Sequence, residues 1–199
     1  GLNDYTLTQK EQDALDGFNS VGWATFEIRD LFDVLSTKKK FNAADLTFNG
    51  RYRYIARGEG RNGIRGYINE DEKYLNKGNT ISFGQDTATM FYQSESYFTG
   101  DKIKIFEPKI STPFNKDIAQ IFITSIKKAF SSFSWGSSSY NVSVLNSTKI
   151  KLPIKADGSP DYEYMNLVAP AMQKVVIKNL VDYLDHRIDK TKIAIGHWR

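Results

Sequence analysis

KIKLPIKADGSPDYEYMNLVAPAMQKVVIKNLVDYLDHRID, residues Lys149 to Asp189, is the stretch whose reading decides the fold. Ile150, Leu152 and Ile154 alternate as in a strand, and Ala156-Asp157-Gly158 forms a turn signal. A helix is then predicted, with Ser159 as N-cap, Pro160 at the first helical position and the acids Asp161 and Glu163 in the first turn. From Tyr162 to Asp189 it would run about 42 Å at 1.5 Å per residue. Met165, Ala169, Met172, Val176, Leu180 and Tyr183 share one stripe, flanked by Val168 on one side and Leu184, Ile177, Ile188 and Val181 on the other. That apolar arc is wider than the roughly 100° one core requires. The helix is therefore expected to meet two neighbours, its own domain and a helix from a second chain; the plainer alternative is burial in a single domain. Pro170 removes a helical hydrogen bond, so a kink, or a first segment ending near Ala169, is expected there.

The rest of the chain is long enough, at 199 residues with 14% aromatics, for one folded domain carrying such an appendage. No apolar run approaches the length of a membrane span, and the N-terminus has no signal-peptide layout. The absence of cysteine excludes disulfides and thiolate metal sites and fits a reducing, cytoplasmic setting. His186 and His197 have no ligand set around them, and no cofactor motif is present.

Positive charge is concentrated in one segment. Lys38, Lys39, Lys40, Arg51, Arg53, Arg57, Arg61 and Arg65 face only Asp45 and Glu59 there, a local excess of six, while the remainder of the chain is slightly acidic. Solvated loops also collect lysine; arginine interleaved with tyrosine is the footprint expected of a nucleic-acid face.

In chain order, Thr8 and Glu11 have capping-box spacing for a short helix that ends at Gly17. Trp23 to Ile28 alternates as a strand; Ile28, Leu31, Phe32 and Leu35 then follow helical spacing. Arg51 to Arg57 alternates into a loop holding Gly58, Gly60, Gly63 and Gly66, whose backbone can approach a partner closely. It lacks the strand–glycine–helix context of a dinucleotide site, and Asn62-Gly63 reads equally as a plain hairpin turn. Strands are predicted at Thr80–Phe83, Thr89–Gln93 and Lys102–Phe106, with turns at Gly84–Ala88 and Tyr97–Asp101. Asn115 caps a helix carrying Ile118, Phe122, Ile126, Phe130 and Phe133, followed by a serine-rich loop with Trp135. The fold class is α+β: a mixed, β-rich domain over residues 1–158 and a helical spacer or dimerisation segment over 159–199. Nothing pairs a nucleophile with a base, and Asp86, Glu95 and Asp101 read as turn-capping acids, so catalysis by this chain is not expected.

The ordered motifs resemble those of specificity subunits of type I and type IIB/IIG restriction–modification systems. They are Trp23 through Phe26 to Leu31-Phe32; Tyr54-Ile55-Ala56-Arg57 with Asn62-Gly63-Ile64 and Gly66-Tyr67; Ile81-Ser82-Phe83-Gly84; Phe91-Tyr92-Gln93; Phe98-Thr99-Gly100-Asp101; and Leu152-Pro153-Ile154 with Gly158, Pro160-Asp161 and Tyr164-Met165. Each is weak alone; the ordered set spans nearly the whole chain. Arg53 and Arg61 depart from the family's usual proline and asparagine. The resemblance implies a target-recognition domain for double-stranded DNA plus a spacer helix, serving a methyltransferase or restriction partner at a bipartite site. Such subunits usually carry two of each, and this chain has room for one.

Residue chemistry agrees with that expectation. Lys38, Lys39 and Lys40 suit phosphate anchoring; Arg57, Arg61, Asn62 and Gln85 are of the base-reading type. Arg51, Arg53, Arg65 and Thr87 complete the expected DNA-binding set, with Trp135 either core or contact. Met172, Val176, Leu180, Tyr183 and Leu184 are the expected surface of a homodimer. The rival functions are a stand-alone nuclease and a single-stranded nucleic-acid module using Tyr52, Tyr54 and Tyr67 as stacking platforms.

Overall fold

The computed structural model describes residues 4–110, 112–131 and 140–196, with backbone alone at 193–196. Trp135, Phe133 and His197 therefore lie outside the described residues. Helix α1 (Gln9–Asp16) begins at the expected capping box, where Thr8 and Glu11 exchange side-chain to backbone hydrogen bonds. Strand β1 (Trp23–Glu27) pairs antiparallel with β9 (Lys149–Pro153), so the two ends of the β-rich segment close on each other. Between them come the single turn α2 (Ile28–Leu31), β2 (Phe32–Ser36), β3 (Tyr52–Ile55), β4 (Ile64–Ile68), β5 (Thr80–Gly84), β6 (Met90–Gln93), β7 (Tyr97–Thr99) and β8 (Ile103–Pro108). Helices α3 (Lys116–Phe130), α4 (Val142–Ser147) and α5 (Tyr162–Gly196) complete the order.

Two further sheets result. One is four-stranded and antiparallel, in the order β2-β8-β5-β6; the other is three-stranded, β4-β3-β7, with β3 antiparallel to β4 and parallel to β7. Helix α3 covers the first. Asn115 accepts hydrogen bonds from the amides of Asp117 and Ile118, and Ile118, Phe122 and Ile126 bury the helix's apolar face. Phe32 from β2 meets Phe122 edge to face with ring centroids 5.0 Å apart, while Phe83 and Phe106 stack at 5.7 Å. The three-stranded sheet has its own small core of Phe41, Tyr54, Ile68 and Phe98.

Three local readings are corrected. Helical spacing at Ile28, Leu31, Phe32 and Leu35 gives only one turn of helix; Phe32 onward is strand because β8 supplies a full antiparallel partner. Tyr97–Thr99, expected as a turn, is the buried strand β7, whose polar Thr99 is accommodated by hydrogen bonding to the Lys39 carbonyl. Ser159 and Pro160 precede the long helix rather than open it: Pro160 bridges Ile154, and the Asp161 carboxylate caps the Tyr164 amide at 3.0 Å.

Helix α5 runs unbroken through Pro170 over 35 residues, about 52 Å long. Proline removes the helical donor to the Asn166 carbonyl and crowds that carbonyl with its ring; the buried Val168, Ala169 and Ala171 on either side carry the helix across. The apolar surface of the helix divides along its axis rather than around it. Met165, Val168, Ala169 and Ala171 are buried against the domain. Beyond them Met172, Val176, Leu180, Tyr183, Leu184 and Ile188 are exposed, Val176 at 65%. The junction is fastened by α1. Tyr164 Oη donates to the Ala14 carbonyl at 3.0 Å, and Lys174 Nζ reaches Glu11 Oε2 at 2.8 Å.

That ion pair is shielded, and Lys174, followed by the Thr8 amide, holds the Glu11 carboxyl below its ordinary value of 4.5. A depressed carboxyl contributes its stability in full above the ordinary value and loses it as pH falls through the folded one. Glu11→Gln should lower stability at neutral pH by about 1 kcal/mol, and the gap from wild type should close on acidification. Chemical denaturation across that range checks it; a gap that persists in acid would show that Glu11 acts through packing alone.

Candidate nucleic-acid interface

The hairpin of β3 and β4 is the feature around which the expected binding residues are arranged. Its loop tightens at Gly60–Gly63, where the Gly63 amide donates to the Gly60 carbonyl at 2.9 Å. The two central residues, Arg61 and Asn62, both adopt left-handed backbone, with φ of 51° and 56°. Positive φ at both positions is the turn that suits hairpin twist, so the turn centres on Arg61-Asn62 rather than on Asn62-Gly63. Non-glycine residues in this region cost about 1–2 kcal/mol each, and Asn62 shows what offsets the cost. Its side-chain amide donates to the Tyr92 carbonyl at 2.9 Å and lies 3.4 Å from Gln93 Oε1. Gln93, wholly buried, returns a bond from Nε2 to the Asn62 carbonyl at 3.0 Å and donates another to Ser82 Oγ at 3.1 Å. The turn is thereby locked to β6 with the Arg61 side chain exposed on it.

On one side of this hairpin lies an open cleft of about 420 Å³, lined by Lys40, Phe41, Tyr54, Arg57, Arg65 and Gly100 among others. Several backbone features build it. Tyr54 Oη donates to the Phe41 carbonyl at 2.8 Å, and the Phe41 amide to the Thr99 carbonyl at 2.9 Å, so the lysine run is laid along β7. Residue 100 must be glycine, since a Cβ there would stand 2.7 Å from Tyr54 Oη. On the hairpin's other side a second cleft, about 470 Å³, runs between β6 and α3 and is lined by Asn62, Phe91, Tyr92, Lys116, Gln120 and Lys127 among others.

The cations of the first cleft are held unequally. Arg57 and Lys102 both pair with Asp86, and Lys40 pairs with Asp101 at 3.0 Å. Each acid lies below the ordinary carboxylate range, Asp86 chiefly through the Lys102 hydrogen bond and Asp101 chiefly through that of Lys40. Arg61 and Arg65 are exposed and have no ion pair among the described residues. Lys38 is exposed, its amide donating to Asn76 Oδ1 at 3.2 Å. Lys39 stands over the rings of Phe41 and Tyr74 at 4.6 and 4.8 Å.

The structure thus divides the basic segment. Lys40, Arg57 and Arg65 meet at one cleft, with Arg61 on the turn beside it. Arg51 and Arg53 sit toward the other end of β3, about 20 and 13 Å from Arg57 at roughly 3.3 Å per residue. There Arg51 stacks on Tyr52 and pairs with Glu72, and Arg53 pairs with Glu95 at 3.2 Å and donates to Ser94. Gln85 donates to the Tyr140 carbonyl at 2.7 Å, and Thr87 Oγ1 lies 2.8 Å from Thr89 Oγ1. To read bases, Gln85 and Asn62 would have to release these internal bonds; Arg61 and Arg65 would not. Reasoning from the sequence missed Lys102, hidden in a strand whose alternation was read for its isoleucines, and Gln93, whose role depends on a loop thirty-one positions away.

No group of three His, Cys, Asp or Glu residues forms a metal-binding constellation among the described residues, and none of the described helices is long and apolar enough to cross a membrane.

Residues 20–194 match the model of the type I restriction modification DNA specificity domain. Among curated proteins, the chain is 37% identical over 151 residues to the Type II restriction enzyme BgcI specificity subunit S.BcgI of Heyndrickxia coagulans, a match covering 74% of this chain and 43% of that protein. The chain thus spans less than half the length of this relative. Among solved structures, the type I restriction–modification S subunit from M. genitalium superposes with a TM-score of 0.56 at 13% identity, over 90% of this chain and 45% of the other. The HsdS subunit from Thermoanaerobacter tengcongensis gives 0.54 at 11% identity, over 86% and 45%. At these identities the two structures establish a shared fold.

The lock on the turn makes a separable forecast. Asn62→Asp, which loses both amide donors, should destabilise the domain by about 1–3 kcal/mol. Arg61→Gln should stay within about 0.5 kcal/mol of wild type. Urea denaturation of both variants checks this; equal stability of the two would mean that the turn is not held through Asn62.

Proposed function

The chain belongs to the type I restriction–modification DNA specificity domain family, and from that premise we propose that it is a non-catalytic recognition subunit that directs a methyltransferase or endonuclease partner to a double-stranded DNA site. The observation that carries this reading is Arg61, exposed on a rigid left-handed turn beside a cleft edged by Lys40, Arg57 and Arg65. An unpaired guanidinium on a fixed backbone suits bidentate reading of guanine, worth about 1–3 kcal/mol against the wrong base. Lys38, Lys39 and Lys40 suit phosphate contact, and Asn62 and Gln93 keep the reader in place. Arg51 and Arg53, paired at the far end of β3, support that strand's placement. Residues 1–158 are the recognition domain and 159–199 the spacer, joined through the buried first turns of α5.

The test is enrichment of binding sites from a randomised duplex pool. Wild type should select a defined motif. Arg61→Ala should bind non-cognate duplex with nearly the same affinity yet lose selection at one position. Loss of affinity without loss of preference would assign Arg61 to phosphate instead. The purified chain should neither methylate nor cut DNA until its catalytic partner is added; turnover by the chain alone, surviving repurification, would favour the nuclease reading.

The exposed half of α5 supports a two-fold, antiparallel homodimer through Met172, Val176, Leu180, Tyr183 and Leu184. Such a run of apolar residues on a lone helix is an interaction surface, and two-fold pairing is the commonest way for identical chains to cover one. Two domains at opposite ends of paired helices about 52 Å long would read inverted half-sites more than one DNA turn, roughly 34–36 Å, apart. Sedimentation should find a dimer at tens of micromolar and a monomer for Val176→Glu with Leu180→Glu; a wild-type monomer would remove the dimer while leaving DNA recognition standing.

A further inference from the structure

We propose that the exposed face of α3 is a second phosphate-binding wall, on which Lys116 and Lys127 contact one strand of the duplex while the Lys40–Arg65 cleft takes the other. The β3–β4 turn would then stand between them in the major groove. This deepens, and rests on, the reading of the chain as a DNA-recognition subunit.

The juxtaposition comes from the fold. Arg57 and Arg65, at the two bases of the loop, line the first cleft, whereas Asn62 at its turn lines the second. The hairpin is therefore a ridge with a cation-edged cleft on each side. A two-stranded ribbon is one of the two shapes that the major groove, about 12 Å wide, admits, and a ridge entering it brings the flanking surfaces toward the phosphates of both strands.

The second wall has a regular construction. Lys116, Gln120, Ile123 and Lys127 all line the cleft. At about 100° per residue the two lysines lie within about 20° of one another around the helix, and about 16 Å apart along it. Ile123 is buried at the bottom, Gln120 offers a neutral donor for phosphate oxygen between the lysines, and both ammonium groups are exposed on an exposed pair of residues. No ion pair holds either one among the described residues, in contrast to Lys40, Arg57 and Lys102 across the ridge. A solvated polar face on an amphipathic helix would also carry lysines, but it has no reason to put them along a cleft. Lys128, about 120° away from Lys116 around the same helix, is the internal comparison.

The experiment measures binding of a fluorescent random-sequence duplex to the full chain at a series of salt concentrations. Each phosphate contact contributes about 0.9 to the slope of log affinity against log salt. Lys116→Gln with Lys127→Gln should therefore flatten the slope by about 1.8. Lys128→Gln with Lys190→Gln, an equal loss of charge away from the cleft, should leave it near wild type. Lysine acetylation read by mass spectrometry should find Lys116 and Lys127 protected by duplex and Lys128 unprotected. All four lysines are exposed, so these variants should fold. If Lys40→Gln with Arg65→Gln flattens the slope but the α3 pair does not, the second wall is wrong and DNA recognition stands. If both pairs of variants reduce it equally with the control, charge alone acts and the wall is again wrong. Failure of the wild type to bind duplex at low salt overturns both readings together.

Discussion

The burial of the first turns of α5 against α1 and α3 is the constraint on which the rest of the structure depends. Met165 and Ala171 are fully enclosed, and the strand that feeds them, β9, is the antiparallel partner of β1. Closing this junction joins the beginning of the recognition segment to its end, so the sheets between them are tied at both termini. Each large aliphatic side chain enclosed there contributes on the order of 1.5–3 kcal/mol, enough for a few such residues to fix the direction in which the helix leaves. The Glu11–Lys174 pair and the Tyr164–Ala14 hydrogen bond then brace that direction from a second side. A helix that emerges at a fixed angle can act as a ruler; one hinged at Pro170 could not.

At the hairpin between β3 and β4 a different balance prevails. The hairpin turn is held by a polar network instead of apolar packing, with Gln93 buried and bonded at both ends of its amide. Such a network is directional, and leaving any member unpartnered is expensive. This suits the presentation of one exposed arginine in one orientation that the proposed function assigns to Arg61. The acids Asp86 and Asp101 add restraint to the neighbouring cations by holding Arg57, Lys102 and Lys40 in ion pairs that a phosphate would have to displace. Exposed pairs of this kind are worth little in stability, so their consequence is for binding: the segment's excess positive charge is partly neutralised before DNA arrives.

How far the sequence carries depends on the range of the interaction. The capping box at Thr8, the cap at Asn115 and the strands at Thr80, Met90 and Ile103 were all legible, because each is set by residues within a few positions of one another. Tyr97–Thr99 was not, since its polar neighbours gave it a turn's composition and only pairing with β3, more than forty residues earlier, makes it a strand. Phe32–Ser36 failed for the same reason, its partner β8 lying some seventy residues on. At the helix entry the sequence pointed to Ser159 as the cap; the bridge of Pro160 to Ile154 keeps Ser159 outside the helix, and Asp161 caps it instead.

By itself the sequence determined the α+β class, the apolar pattern of the terminal helix, the family through its ordered motifs, and the concentration of positive charge between Lys38 and Arg65. Only the tertiary structure decided which of those charges act together. Sequence proximity grouped Arg51 and Arg53 with Arg57, yet an extended strand carries them about 20 and 13 Å away to other partners. Folding, conversely, brought Lys102 to Arg57 around Asp86 and set α3 across a cleft from the Asn62 turn. Periodicity also stated that the last helix was apolar over too much of its surface, without stating where each part would be covered. Three-dimensional packing buried Met165, Val168, Ala169 and Ala171 and left Val176, Leu180, Tyr183, Leu184 and Ile188 exposed. The physical reason is one of geometry: the globular domain is shorter than the helix, so its core can cover only the first turns.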